Sequence, residues 1–284
     1  SPSESPTSSA SSSSTVSMSS ADREIRISYG QTMVLSGHVS GAAGQTVAVQ
    51  QALAGGDWQT VARVISRSDG SWRYSGSPVY SGAWRAVLSN GRASASRRVT
   101  VAATLGVGAT RHVRRNVYIT VWGTLSPGVH GRLISLQLRT RQGWSTVSTA
   151  RTDSGGQFRA YWRTSRAGRY MFRARFAGTR YNAGVTRGVR GLVYVYRPAY
   201  ASWYGPGFYG RRTACGQRLG RGTLGVAHRR LPCGTSVAFR YGGRSVTAPV
   251  IDRGPFIRGR EWDLTAELKR RLRFPSTGIV WSAR

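Results

Sequence analysis

An internal repeat across residues 22–197 constrains the fold of this chain more than any other feature of its sequence. The segments DWQTVARVISRSDGSWRY and GWSTVSTARTDSGGQFRAYW share one pattern of apolar, turn and aromatic residues. A shift of 86 positions superimposes the two copies, and such self-similarity predicts two tandem structural units. The coinciding pairs are Gly37 with Gly123, Trp58 with Trp144, Gly70 with Gly156, Trp72 with Phe158, Gly82 with Gly168, and Trp84 with Tyr170.

Both copies have the residue pattern of a β-sandwich. Short runs alternate apolar and polar residues, as at Val47 and Val49 in the first copy and Ile134 in the second. Turn residues separate these runs at the intervals that are typical of a sandwich. The 36 glycines and the weak helical periodicity favour an all-β class. We therefore predict two immunoglobulin-like β-sandwiches over residues 22–103 and 104–197, similar to the repeats of exported bacterial proteins.

The two predicted sandwiches carry little that suggests chemistry. Asp69 and Asp153 lie in the turn sequences RSDGSW and RTDSGGQ, where an aspartate caps its own backbone. His38, His112 and His130 have no carboxylate or cysteine near them in the sequence, so we interpret them as packing or surface residues. We expect the sandwiches to act as spacers or as binding modules.

The first 21 residues are rich in serine and proline and contain few large apolar groups. Such a segment cannot bury enough surface to offset chain entropy, so we predict a disordered spacer at residues 1–21. It is also typical of sequence that remains after a signal peptide has been removed. The chain has no run of 18 apolar residues and we expect no membrane span.

The two cysteines, Cys215 and Cys233, are expected to form one disulfide. They are not part of a Cys/His cluster with metal-ligand spacing, so we expect neither a metal site nor a cofactor. A disulfide requires an oxidising compartment, which indicates an exported, extracytoplasmic protein. We expect a monomer.

The charge of the chain is extreme, with 42 Lys+Arg against 10 Asp+Glu and a net charge of +32. Lys269 is the only lysine, and a GC-rich genome would also produce this preference for arginine. So positive a chain attracts polyanions, among them nucleic acid, anionic lipid and the phosphate polymers of a Gram-positive wall. We find no helix-turn-helix, zinc-finger or RNP-like motif and expect no specific nucleic-acid partner.

Residues 198–284 differ in pattern from the repeats. Tyrosine and glycine crowd the segment AYASWYGPGFYGRRTACG, and the short apolar runs TLGVAH, SVAFRY, SVTAPVI and GIVWSA follow it. The segment DLTAELKRRL predicts one helix, with Asp263 as its N-cap and Glu267 in the next turn. This pattern predicts a small closed barrel of six strands with one short helix.

Four motifs of this region, in order, carry a specific resemblance. ASWYGPGFYGRRTACGQ, LGVAHRRLPCGTSVAF, GGRSVTAPVIDRGPF and GREWDLTAEL together resemble the double-psi β-barrel domain of the rare lipoprotein A (RlpA) family. The resemblance covers less than a third of the chain. It implies lytic transglycosylase activity on peptidoglycan glycan strands that lack stem peptides. Expansins, which loosen walls without obvious hydrolysis, have the same barrel.

Asp252 is the first catalytic candidate, because it ends an apolar strand and RGP then turns the chain away, so that the side chain is expected to face a cleft edge. The alternative is that it caps this turn or pairs with Arg253. A lytic transglycosylase can act with one acid, because the 6-hydroxyl of the muramic sugar attacks and gives a 1,6-anhydro product. Glu261 is either a second carboxylate that contacts the glycan or a solvated turn residue.

The resemblance adds His228 and raises a question at position 217. His228 matches the family's histidine, which implies that it binds sugar hydroxyls or holds Asp252 by a hydrogen bond, although a lone histidine is more often structural. The family motif TAxGE has a glutamate where this chain has Gln217. Glutamine can bind a sugar but cannot donate a proton as an acid.

The aromatic residues before this motif predict a glycan groove. Trp203, Tyr204, Phe208 and Tyr209 are interspersed with glycines, and their rings offer faces on which sugar rings stack. Two functions therefore follow: a wall protein that binds glycan strands and cleaves them, or a non-catalytic, expansin-like binding module, which Gln217 favours. The expected partners are peptidoglycan glycan strands and anionic wall polymers.

Overall fold

A computed structural model of the chain describes residues 14–19, 24–41 and 43–284. The predicted spacer at 1–21 lies mostly outside the described residues. Its described part contradicts the prediction, because β1 (Thr15–Ser19) is a strand that pairs with the first sandwich. Val16 is buried there. The two apolar residues Val16 and Met18 are therefore enough to form a strand in a serine-rich segment when the edge of a sheet is available for pairing.

The first sandwich consists of two packed sheets. One sheet has the strand order β1-β3-β6, and β5-β4-β7-β8 with β2 beside β8 forms the other. Trp72 and Trp84 fill the space between the sheets. The strands are β2 (Glu24–Ser28), β3 (Met33–Ser40), β4 (Thr46–Leu53), β5 (Gln59–Ile65), β6 (Ser71–Gly76), β7 (Gly82–Leu88) and β8 (Arg97–Ala102).

The second sandwich repeats this arrangement. Its sheets have the orders β14-β11-β9 and β13-β12-β16-β17, and β17 continues into the first sandwich through one parallel pair, Ala183 with Ala102. The strands are β9 (Thr104–Ala109), β10 (His112–Arg114), β11 (Ile119–Ser126), β12 (Leu133–Thr140), β13 (Gly143–Arg151), β14 (Gln157–Trp162), β15 (Gly168–Tyr170), β16 (Phe172–Gly178) and β17 (Ala183–Gly188).

The register of the strands explains the repeat. Gly37 pairs with Trp72 in β3–β6, and Gly123 pairs with Phe158 in β11–β14, 86 positions later. A Cβ at either glycine would collide with the facing aromatic ring and with a carbonyl oxygen of the neighbouring strand. The coincidences of Gly37 with Gly123 and of Trp72 with Phe158 therefore mark a glycine that an aromatic ring covers in each copy. The prediction of two tandem sandwiches is confirmed, whereas their immunoglobulin-like topology stays a prediction.

The last region is a closed barrel of six strands, as predicted. The strands follow the order β18-β22-β19-β21-β20-β23, and β23 pairs with β18 to close the ring. Buried apolar residues of all six strands and of the helix fill the interior. The elements are β18 (Val193–Tyr204), a 3-10 turn at Pro206–Phe208, β19 (Val226–Ala227), β20 (Ser236–Tyr241), β21 (Arg244–Asp252), β22 (Trp262–Thr265), α1 (Ala266–Leu272) and β23 (Gly278–Ala283).

Strand β18 belongs to both the second sandwich and the barrel. Its first residues pair with β10 and β15, and the part from Arg197 onward pairs with β22 and β23. The predicted boundary between residues 197 and 198 thus falls inside one continuous strand. Among the described residues, no helix is long and apolar enough to span a bilayer.

The start of α1 corrects one prediction. Thr265, not Asp263, is the N-cap, and its hydroxyl accepts a hydrogen bond from the Leu268 amide at 3.3 Å. Asp263 lies two residues earlier, inside β22. Glu267 is in the first turn as predicted, and hydrogen bonds from Arg270 and Arg271 lower its pKa to about 2.

Candidate functional site

A groove with a volume of about 510 Å³ crosses one end of the barrel. Four parts of the barrel form it: the end of β18 with the turn that follows, Ala227 in β19, the end of β21 with the loop that follows, and Asp263 in β22. The predicted site residues Trp203, Tyr204 and Asp252 all line this groove, as does Asp263.

Strand pairing places two carboxylates side by side in this groove. Ala227 in β19 pairs with Asp252 on one side and with Asp263 on the other, and Ser202 in β18 continues the row beside Asp263. Directly paired residues point to the same face of a sheet. Two strand spacings separate the Cα atoms of the aspartates by roughly 10 Å. Ala227 lies between the two aspartates and lines the groove with them.

Asp252 is held by the backbone of its own loop and of a neighbouring one. Its Oδ1 accepts hydrogen bonds from the Ala214 amide at 2.8 Å and from the Arg253 amide at 2.9 Å. The Arg253 guanidinium reaches the Asp252 carbonyl oxygen and not the carboxylate. Asp252 thus caps its turn, as one alternative proposed, and at the same time faces the groove.

Asp263 has a different environment from Asp252. Burial is the largest influence on the pKa of Asp263 and raises it, and the charge of Asp252 raises it further. A hydrogen bond from the Ser202 hydroxyl at 2.9 Å and the charge of Arg260 act in the opposite direction. The net shift of the pKa is upward. Sequence reasoning missed this residue because DLTAEL fits a helix cap. The available signal was Thr265, a second N-cap candidate two residues later.

Tyr204 connects the two carboxylates. Its hydroxyl is buried, and burial together with the charges of Asp252 and Asp263 raises the pKa of this phenol. The hydroxyl is close enough to Asp252 to be influenced by its charge, but it forms no hydrogen bond of good geometry with any described residue. The phenol therefore remains protonated.

Apolar side chains form the rim of the groove. Phe256 is 81% exposed and Phe208 is 51% exposed, and Ile257 lies beside them. Phe208 meets Tyr204 edge-on, with 6.1 Å between ring centroids. Lys269 lies over the Trp203 ring at 4.5 Å. Sequence reasoning missed Phe256 and Ile257, although DRGPF was already among the quoted motifs.

His228 points away from this groove, which corrects its predicted contact with the Asp252 side chain. Only its backbone amide contacts Asp252, by a hydrogen bond to the carbonyl oxygen at 3.1 Å. The imidazole Nδ1 accepts from the amides of Arg230 and Leu231 at 3.1 and 3.0 Å. The proton of the neutral ring therefore resides on Nε2. Burial is the main cause that lowers the pKa of His228.

Glu261 lies with His228 in a second cavity of about 470 Å³, between the barrel and the second sandwich. Both of its carboxylate oxygens accept from the Arg197 guanidinium, and the His228 Nε2 is 3.9 Å from Oε1. Glu261 is therefore charge-compensated and outside the groove. The second groove carboxylate is Asp263 and not, as predicted, Glu261.

Comparison with known proteins finds relatives over the barrel. The family described as "Lytic transglycolase" matches residues 197–281, which are the barrel. The C-terminal barrel is an RlpA-like double-psi β-barrel domain. Its relatives include proteins named "Probable endolytic peptidoglycan transglycosylase RlpA" from Synechocystis sp., 49% identical over 81 residues, and from Aquifex aeolicus, 41% identical over 87 residues.

The likeness to RlpA proteins is limited to the barrel. "Endolytic peptidoglycan transglycosylase RlpA" of Rickettsia typhi is 37% identical over 112 residues, which is 35% of this chain and 35% of that protein. The Synechocystis and Aquifex matches cover 28% and 30% of this chain and 25% and 38% of those proteins. A solved tetra-tandem repeat of a large adhesion protein covers 85% of this chain and 63% of its own at 17% identity, but its TM-score of 0.37 is too low to support a conclusion.

The chain departs from the RlpA motif at Gln217, which lies in an exposed loop and does not line the groove. The Cys215–Cys233 disulfide, formed as predicted, anchors this loop. The Cys215 amide also donates to the Ile251 carbonyl oxygen at 3.3 Å. The disulfide thereby holds in place the neighbouring Ala214 amide, which donates to Asp252.

Proposed function

We propose that the barrel binds peptidoglycan glycan strands in its groove and cleaves them as a lytic transglycosylase. The observation that carries this proposal is the pair Asp252 and Asp263, two carboxylates in one groove with different surroundings. In the cleavage of a glycosidic bond, one such group can act as the acid and the other as the base. The names of the RlpA relatives support the same substrate and reaction. The disulfide supports an extracytoplasmic location at the cell wall.

Asp263 is the general acid of this proposal. Its raised pKa keeps the carboxyl group protonated to higher pH than that of an exposed aspartate. It can therefore donate its proton to the glycosidic oxygen as the C1–O bond breaks. Ser202 holds the carboxyl group in position through Oδ1, which leaves the second oxygen for the substrate.

Asp252 is the base. The two amides that donate to Oδ1 fix its orientation and leave Oδ2 for the 6-hydroxyl of the muramic sugar. As Asp252 accepts the hydroxyl proton, O6 attacks C1 and closes the 1,6-anhydro ring. No water is consumed, and proton exchange with solvent restores both carboxyl groups. Attack from within the same sugar also avoids the entropy of positioning a second reactant.

Gln217 favours the second candidate function, a barrel that binds glycan without cleaving it, like an expansin. The position of Gln217 in the structure nevertheless supports the enzyme. Gln217 lies outside the groove, whereas Asp252 and Asp263 both line it. Asp263 provides the second carboxylate that the sequence sought at Glu261.

Product analysis on peptide-free glycan strands tests the proposal. Mass spectrometry should detect 1,6-anhydro ends with the natural protein and lose them with Asp252→Asn. Asp153→Asn is the matched control, because Asp153 also accepts two backbone amides, at 2.9 and 2.8 Å, but lies in a turn of the second sandwich. Reducing ends would instead indicate hydrolysis, and strands that are bound but uncleaved would establish the binding module.

A further inference from the structure

The positive charge of the chain is unevenly distributed. The second sandwich, residues 104–197, contains 17 arginines and a single carboxylate, Asp153. The first sandwich, residues 22–103, contains 9 arginines and 4 carboxylates. Two copies of one fold therefore differ greatly in charge, and the difference can be located by comparing equivalent positions.

The first sandwich has a polar cluster on the outer face of its larger sheet. Gln50 accepts a hydrogen bond from Arg85 Nε at 2.9 Å and donates to the Thr60 hydroxyl at 3.3 Å. The Arg85 guanidinium lies over the Trp58 ring at 4.2 Å. Each member holds the next, so the cluster is a structural feature of this sheet.

The second sandwich has the same cluster. Gln137 accepts from Arg173 Nε at 2.7 Å and donates to the Thr146 hydroxyl at 3.3 Å, and Arg173 lies over Trp144 at 4.3 Å. Arg139 approaches the same ring at 5.7 Å. Because both copies share the four-residue cluster, it aligns the two faces residue by residue.

Three positions around the cluster differ in a consistent way. Arg139 and Ala52 each follow the cluster glutamine by two residues, and Arg175 and Val87 each follow the cluster arginine by two. Arg151 pairs with Leu133, four residues before Gln137, and Ile65 pairs with Thr46, four residues before Gln50. The second sandwich thus has arginine where the first has these apolar residues: Ala52, Ile65 and Val87.

Two of these three arginines, Arg151 and Arg175, border a groove of about 450 Å³ on the second sandwich. Arg132, Arg151 and Arg175 line it, and Ser135 and Gln137 contribute polar groups. No carboxylate lines it, and among the described residues none of these arginines makes an ion pair. Neighbouring arginines are separated by roughly 7 Å along a strand and roughly 10 Å across two strands.

We propose that this arginine face, consisting of Arg132, Arg139, Arg151, Arg173 and Arg175, binds the phosphodiester groups of a linear cell-envelope polymer. One guanidinium group can donate two parallel hydrogen bonds to two oxygens of a phosphate group, and several aligned guanidinium groups match a polymer with regularly spaced negative charges. The envelope as the source of the polymer rests on the proposed function, but the binding itself does not involve the barrel groove.

The fold gives this face a use. Because β18 runs without interruption from the second sandwich into the barrel, a polymer bound to the arginine face holds the barrel close to the wall. Such tethering raises the effective concentration of glycan strands at the groove without any new contact there.

Binding of a defined polyglycerol phosphate to the full chain, measured at several salt concentrations, tests the proposal. The triple variant R139Q/R151Q/R175Q should lose at least tenfold in affinity. R115Q/R159Q/R169Q is the matched control, because it removes the same charge from exposed arginines elsewhere on this sandwich, and it should lose less than threefold. In a plot of the logarithm of affinity against the logarithm of salt concentration, the slope should become less steep by the equivalent of about two phosphate contacts in R139Q/R151Q/R175Q. The control variant should keep the slope of the natural protein.

Two outcomes would overturn the proposal. Equal losses in the two triple variants would mean that the net charge, and not this face, attracts the polymer. Tighter binding of a single-stranded DNA of equal phosphate number through the same arginines would assign the face to nucleic acid. Glycan cleavage by R139Q/R151Q/R175Q on soluble strands should be unchanged, so a failure here is distinguishable from a failure of the proposed enzyme.

Discussion

The groove lies at one end of the barrel and the cavity around His228 lies between the barrel and the second sandwich, and both contain residues of the RlpA-like motifs. In the cavity, Glu261 is paired with Arg197, and the His228 ring caps the turn that follows it. In the groove, neither Asp252 nor Asp263 makes an ion pair with any described residue. Glu261, whose charge is compensated by Arg197, therefore serves the fold, whereas Asp252 and Asp263, which have no paired cation among the described residues, are the candidates for chemistry.

The largest expected effect comes from removing the acid. Asp263→Asn should reduce formation of 1,6-anhydro ends by roughly 10²–10⁴-fold, because the amide cannot donate the required proton. Glu261→Gln, the matched change in the cavity, should change the rate only a few fold. Equal losses in the two variants would remove the distinction between groove and cavity.

Filling the space between the aspartates should have the next largest effect. Ala227→Val keeps both carboxylates and suits a strand, but it adds two carbon atoms to the groove wall between Asp252 and Asp263. We expect at least a tenfold loss in kcat/KM on glycan strands, with a circular dichroism spectrum like that of the natural protein. An unchanged rate would mean that the substrate does not lie between Asp252 and Asp263.

His228→Ala should lower stability more than it lowers activity. The amides of Arg230 and Leu231 lose their acceptor, which costs about 1–3 kcal/mol in the free energy of unfolding. Urea unfolding measures this loss, and the rate per folded molecule should stay within tenfold. A stable variant that is as inactive as Asp263→Asn would place the histidine in the chemistry.

The smallest effect is the dependence of stability on pH that Asp263 causes. A carboxyl group whose pKa is raised by folding contributes stability below its unfolded pKa, and this contribution is lost as the pH rises through the folded pKa. Asp263→Asn should therefore melt at a higher temperature than the natural protein at pH 7, and the difference should shrink toward pH 3. A variant that melts lower at pH 7 would contradict the raised pKa.

Much of the fold could be predicted because it depends on local pattern. The 86-residue offset predicted two tandem sandwiches, and the strand register explains it, since a glycine lies under an aromatic ring in each copy. The six strands and the helix of the barrel followed from short apolar runs and distinctive motifs. Strand β1 was missed because Val16 and Met18 become a strand only against the edge of β3.

The candidate site was only partly predictable, because its chemistry depends on pairing between distant strands. Asp252 and Tyr204 could be found from their motifs. Asp263 could not, since an aspartate two residues before Thr265 has the same local pattern as a helix cap, and only its pairing with Ser202 and Ala227 places it in the groove. The environment of His228 likewise depends on Trp262, whose ring lies 4.6 Å away.

The most direct test of the central claim is a crystal structure of the D263N variant with a peptide-free glycan tetrasaccharide bound. We expect the glycan in the groove, with its glycosidic oxygen within hydrogen-bond distance of the side chain at position 263 and a muramic 6-hydroxyl beside Asp252. A glycan that lies in the cavity of His228 and Glu261, or that leaves both aspartates untouched, would contradict it.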